Sequence, residues 1–225
     1  MTARAMWKGV IAFEDVAVPV KLYAALEDRS VHFRLLHKTD SAPVRQVMVN
    51  PDTEEIVPSD QTYRAYHTGE GAQVLLTKED LDSVKPQPSR QIEVLKFLPE
   101  HVIDHRWYNR PYYLGPDGAD QNYAALVAAL ASTQREGLTH WVMRNKEYYG
   151  ALRVHQGYLL MITLRYEEQV VSAADLEPPK GKPLDHRELA MAQQLIEMLD
   201  AEFAPETFQN EYRERVLELI ETKLQ

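Results

Sequence analysis

Between Arg4 and Tyr23 the apolar residues fall on alternate positions and then change phase. Trp7, Ile11 and Phe13 share one parity, Val18, Val20 and Leu22 share the other, and Glu14-Asp15 lies between. This predicts a hairpin whose two strands each bury one face. Lys8 and Lys21 sit on the faces left over. Pro19 has no N–H for a ladder, so the second strand is expected to lie at an edge or to pair there through its other side. Val31, Phe33 and Leu35 alternate with His32 and Arg34, which predicts a third strand. Three strands would then each offer a cation on the face away from the core.

From His37 to Tyr63 short apolar pieces alternate with Pro, Asp and Ser, the pattern of an extended arm or long hairpin, with a strand at Arg45–Val49. Thr77 caps a short helix, with Asp80 at capping-box spacing. Pro86 and Pro88 exclude helix beyond it, and Arg90–Leu98 resumes as strand. Asn122 is expected to open a helix carrying Tyr123, Leu126, Val127 and Leu130 inward and ending at Gly137. A strand over Leu138–Asn145 follows, then a hairpin closed around Gln156-Gly157. Pro178, Pro179 and Pro183 mark a linker. Beyond it Asp185 and Glu188 have capping-box spacing, and Leu189, Ala192, Leu195, Ile196, Leu199 and Phe203 make a helical stripe. A second helix is expected to open near Pro205, with Phe208, Tyr212, Val216, Leu219 and Ile220 inward.

The chain has 225 residues, 44% of them hydrophobic, enough for one large domain or a domain with an appended subdomain. It has no cysteine, which excludes disulfides, thiolate metal sites and a Cys nucleophile. The N-terminus lacks an apolar signal region, and the run AALVAALA falls well short of the roughly 20 residues that span a bilayer, so no membrane association is expected. The net charge of −9 is uneven. From residue 167 onward the cations are Lys180, Lys182, Arg187, Arg213, Arg215 and Lys223 against fourteen carboxylates, whereas residues 1–166 are nearly neutral. A positive surface must therefore arise by local segregation within the first 166 residues.

His101 and His105 have the spacing of a helical metal pair but no third ligand is identifiable, so both read as solvated or hydrogen-bonded. Trp107, Tyr108, Tyr112 and Tyr113 read as strand packing rather than as a base-stacking platform. The sequence has no Gly-rich phosphate loop, no HExxH, no Gly-x-Ser-x-Gly and no carboxylate spacing for two metals. Binding rather than catalysis is expected, with no cofactor.

The segments WKGVIAF, VPVKLYAA, VHFRLLHK, SRQIEVLKFLP, RPYYLGPDG, NYAALVAAL, ALRVHQGYLLMITLRY, ELAMAQQLIEMLDAEF and NEYRERVLELIETKL, in that order, resemble the bacterial Ku proteins. These are homodimeric DNA-end-binding factors of non-homologous end joining, and the resemblance covers nearly the whole chain. It implies a mainly β fold with α (α+β): a Ku-type β-barrel core at 1–166 with an inserted bridging arm at about 36–90, a linker at 167–184 and a C-terminal helical subdomain at 185–225. Two protomers would form a ring-shaped homodimer, threaded onto double-stranded DNA from an end and blind to base sequence. The protein would be cytoplasmic, associated with the nucleoid, and would recruit an end-joining ATP-dependent DNA ligase.

On this sequence the expected phosphate contacts are Lys8, Lys21, Arg34, Lys38, Arg45, Arg64, Arg90, Arg110, Arg144, Lys146, Arg153 and Arg165. Arg45, Arg64 and Arg90 are chosen because the arm must track a groove, the others by strand parity or clustering. Phosphate contacts position a protein without reading bases. Tyr212, Arg213 and Arg215 are the expected ligase contacts. The acidic run Asp52–Glu55 and the negative total charge also fit an alternative, a dimeric interaction scaffold of the same fold that binds duplex weakly.

Overall fold

The structure, a computed structural model, describes residues 4–224; residues 1–3 and 225, the outermost positions of the expected first and last domains, lie outside it. The N-terminal alternation forms β1 (Trp7–Phe13) and β2 (Val16–Ala24), with Glu14-Asp15 in the turn between them. Ile11, Val18, Val20 and Leu22 are at most 1% exposed, so the predicted inward faces are buried. Next come β3 (Arg64–His67), β4 (Gln73–Leu76), α1 (Lys78–Ser83) and β5 (Gln91–Pro99), then β6 (Tyr108–Pro116) and α2 (Asp120–Thr133). The series closes with β7 (Arg135–Met143), β8 (Lys146–His155), β9 (Tyr158–Leu164), α3 (His186–Met198) and α4 (Glu211–Leu224).

The chain divides into two compact units: residues up to 27 with 35–170, and residues 28–34 with those from 171 onward. In the first, seven strands close a barrel in the order β1-β2-β6-β9-β8-β7-β5. Every joint is antiparallel except β1–β5. A parallel joint needs a long crossover, and the arm from Leu35 to Pro88 lies within that connection. Closure explains Pro19. The barrel has no edge for it to occupy, and Pro19 instead uses its carbonyl, which accepts the Asp117 N–H at 3.1 Å.

Ile92, Leu114, Trp141, Leu152, Leu159 and Met161 fill the barrel, and Tyr123, Leu126 and Leu130 of α2 join the same cluster. Tyr123 Oη donates to the Leu114 carbonyl at 2.5 Å and accepts from the Leu159 N–H at 2.9 Å, tying the helix to β6 and β9. Trp141 stacks on Tyr148 with ring centroids 5.3 Å apart. Only glycine fits at 150, because a Cβ there would lie 2.7 Å from the Trp141 ring and 2.9 Å from Met161 Sδ.

Four expectations are corrected. Val31–Leu35 is not a strand: Phe33 and Leu35 are 67% and 68% exposed, and the free side of β2 is taken by β6. Arg45–Val49 is extended without forming a strand, held by a single bridge between Val49 and Ile56. Helix α2 begins at Asp120 rather than Asn122. It ends at Gln134, whose φ of 50° reverses the chain, while Gly137 lies within β7 and packs against Val94. The Thr77–Asp80 capping box of α1 and the Gln156-Gly157 turn are as expected.

In the second unit, Asp185 Oδ1 accepts the N–H groups of Arg187 and Glu188 at 2.9 and 2.8 Å and so starts α3 as expected. The Arg213 guanidinium on α4 donates to the Arg29 carbonyl at 2.8 Å, fastening 28–34 to the helix. The stripes expected to point inward are largely exposed, with only Ala192, Val216 and Ile220 of them half-buried. Leu199, Phe203, Phe208 and Tyr212 are 70–85% exposed. Two amphipathic helices of this length thus keep part of their apolar faces open within their own unit.

Candidate nucleic-acid interface

Strand register brings the first two cations together. Lys8 and Lys21 are direct cross-strand partners on β1 and β2, a placement in which like charges repel. Asp117, in the turn after β6, relieves that repulsion. Its Oδ2 lies 2.9 Å from Lys8 Nζ and its Oδ1 2.9 Å from Lys21 Nζ. The two ammonium groups, Lys21 first, hold the Asp117 carboxyl below the usual carboxylate range, and Asp117 in turn raises Lys21. Sequence reasoning missed Asp117, since a Gly-Pro-Asp-Gly run signals only a turn. The β2–β6 pairing alone places it beside Lys21.

Arg90 and Arg144 converge from different parts of the chain. Arg90 precedes β5, and its carbonyl accepts the Val10 N–H at 2.8 Å, which fixes it at the β1–β5 joint. Arg144 and Asn145 form the β7–β8 turn with φ of 53° and 59°. That left-handed pair suits the twist of a two-residue hairpin, but costs energy in an arginine. Both arginines line one recess with Trp7, Pro88 and Ser89. Lys146 and Asn145 line a neighbouring recess with Pro86, Asn109 and Tyr148. Arg110 is exposed, its guanidinium 5.7 Å from the Tyr112 ring centroid. Among the described residues Arg90, Arg110, Arg144 and Lys146 have no carboxylate within ion-pair distance, and the same holds for Lys96 on β5 and Arg135 on β7, exposed barrel cations that sequence reasoning did not single out.

Two other expected contacts are engaged inside the fold. Arg153 Nη2 lies 2.7 Å from Oε2 of Glu136, a carboxylate with no exposed surface, and its guanidinium covers the Tyr108 ring at 4.8 Å. Tyr108 Oη completes the group, and its burial raises the phenol above the usual range. Arg165 donates to the Arg106 carbonyl at 3.1 Å and also to that of Tyr108, pinning the segment before β6. Glu136 was invisible in the sequence because nothing in REGLTHWVM distinguishes it from a solvated acid.

On the arm, Lys38, Arg45 and Arg64 are all exposed, Lys38 in a turn and Arg64 at the start of β3. Arg45 lies beside Val47, Met48 and Ile56 in a shallow apolar depression. Arg34 belongs to the second unit and is exposed there. Of the expected ligase contacts, Tyr212 is exposed, Arg213 holds the Arg29 carbonyl and Arg215 pairs with Glu211 at 2.8 Å. His101 and His105 are exposed, in a turn and a short 3₁₀ helix rather than on one helical face. Tyr112 is buried in the barrel, as the packing reading expects. Among the described residues no group of three or more His, Asp or Glu side chains is arranged to hold a metal, and no helix is long and apolar enough to cross a membrane.

Comparison with known proteins agrees with this architecture. A family profile described as the Ku70/Ku80 beta-barrel domain matches residues 12–191. The chain is 35% identical over 225 residues to the non-homologous end joining protein Ku 1 of Geotalea uraniireducens, covering all of this chain and 86% of that protein. It is 35% identical over 223 residues to the non-homologous end joining protein Ku of Bacillus subtilis, covering 98% of this chain and 72% of that one. For the protein of that name from Mycobacterium tuberculosis the identity is 34% over 233 residues, covering 99% and 83%. The closed seven-stranded barrel and these full-length matches together place the chain in the Ku β-barrel family.

Proposed function

We propose that two copies of this chain form a ring-shaped homodimer that captures double-stranded DNA ends, without reading sequence, in non-homologous end joining. The observation that carries the reading is the character of the arm. Val44, Val47, Met48, Val49, Ile56, Val74 and Leu75 are each more than 40% exposed, while Lys38, Arg45 and Arg64 stand among them. A monomer rarely exposes so many apolar side chains on one segment, so a second copy is the natural cover. The arm's cations, with Arg90, Arg110, Arg144 and Lys146 on the barrel, supply phosphate contacts. Lys8 and Lys21 add to them by displacing Asp117, and Arg34 is a separate candidate contact on the second unit. Arg153 and Arg165 support the barrel instead. The relatives' name supports the end-joining role. The exposed helical faces around Tyr212 suit recruitment of an ATP-dependent DNA ligase, and the protein would work at the nucleoid by binding alone.

A ring cannot close over the middle of a sealed duplex, which makes topology the test. Supercoiled plasmid and its linearised form are incubated with the protein, then washed in high salt. Retention of the linear form alone is expected, and equal retention of both would refute threading. The net charge of −9 favours a second reading, a scaffold of the same fold that holds duplex only weakly. A salt titration separates the two. Each neutralised phosphate contributes about 0.9 to the slope of log affinity against log salt, so a ring making several contacts gives a steep line and the scaffold a shallow one.

A further inference from the structure

We propose that Asp117 is a built-in competitor for the DNA phosphate at Lys8 and Lys21, occupying the anion site these lysines form and lowering the grip on duplex there. The inference rests on the reading that Lys8 and Lys21 face phosphates. Two ammonium groups close on one carboxylate, each taking a different oxygen at 2.9 Å, and Lys8 Nζ also reaches Oδ1 at 3.2 Å. Two non-bridging phosphate oxygens present the same pair of acceptors. Strand register holds the two lysines opposite each other, so an anion must sit between them to relieve their repulsion, and a phosphate can do so in place of Asp117.

The occupant is replaceable. The side chains of Lys8, Lys21 and Asp117 are 58%, 32% and 26% exposed, and exposed ion pairs are held weakly because water competes for both partners. Asp117 stands next to Gly118, whose φ is 86°, in a turn anchored through its backbone N–H on the Pro19 carbonyl. The carboxylate can therefore leave without disturbing that anchor. With Asp117 in place the site offers one net positive charge, and without it two. Asp120 adds a weaker field at Lys21 but does not touch it. Duplex binding at this point becomes an exchange of one anion for another rather than a simple neutralisation.

The test measures binding of a short blunt duplex to the 225-residue chain across a salt series, for the wild type and for Asp117→Asn, Lys8→Gln, Lys21→Gln, the double lysine variant and the triple variant. Asp117→Asn should tighten binding about fivefold at low salt and steepen the salt slope by up to about 0.9 for each phosphate newly engaged. Lys8→Gln and Lys21→Gln should each weaken it. If the lysine variants weaken binding while Asp117→Asn leaves it unchanged or weaker, the competition is overturned and the interface stands. Unchanged affinity in the lysine variants would remove both residues from the interface and take the proposal with them. A gain from Asp117→Asn that persists without the lysines would be a general charge effect and would also overturn it. Asp117→Ser, measured alongside with a melting curve for each variant, replaces Asp117→Asn if that variant fails to fold.

Discussion

The guanidinium of Arg153 is closed in by Glu136 and the Tyr108 ring, whereas those of Arg90 and Arg144 face a recess with no carboxylate to answer them. The difference predicts opposite behaviour on substitution. Arg153→Met leaves the fully buried Glu136 carboxylate without its partner and should cost about 3–5 kcal/mol of stability, read as the shift in a urea melt. Pairing it with Glu136→Leu should recover much of the loss. Arg144→Glu should melt like the wild type and weaken all duplexes alike, whatever their sequence. Both arginines carry the same local signal, a cation on or beside a strand, so sequence alone could not tell them apart. What separates them is the neighbour that strand pairing delivers, and no local pattern records it. The same holds for Lys8 and Lys21, legible as outward-facing while Asp117 beside them was not.

The element scale shows how far alternation carries and where it stops. Strands β1, β2 and β5, and the β8–β9 hairpin, followed the alternation because each has a dry face against the barrel interior. Residues 31–35 alternate just as cleanly and form no strand, since a strand is a relation between two segments and, among the described residues, only Leu35 is met by another stretch of backbone, the Val44 N–H on its carbonyl at 3.2 Å. Capping boxes at Thr77 and Asp185 were legible because a cap and its acceptor lie three residues apart. The helical stripes were legible too, but not how much of them stays exposed. The arm gives the prediction proper to this scale. Val47→Glu and Met48→Glu place charge on its apolar face, and sedimentation should show dimer giving way to monomer while the barrel's melting temperature holds. A dimer that survives both substitutions would assign that face to something other than a second copy.

At the scale of the whole molecule, the barrel is assembled from two pieces of unlike origin. Strands β5 to β9 are continuous in sequence, apart from α2 and short turns, and pair among themselves. The β1–β2 hairpin meets them only through two distant joints, where Val10 lies opposite Gln91 and Val20 opposite Pro116. Contacts so remote along the chain incur their entropic cost before any gain, which delays them. Pulse-labelled hydrogen exchange during refolding should therefore find amides of β7–β9 protected before that of Val10. On the ribosome the first strands must wait, unzipped from their neighbours, until the last staves of the barrel have emerged. A newborn chain thus passes through a stage in which its leading hairpin is free to dock on another molecule's half-built barrel, and chaperones or slow translation would set how often it finds its own.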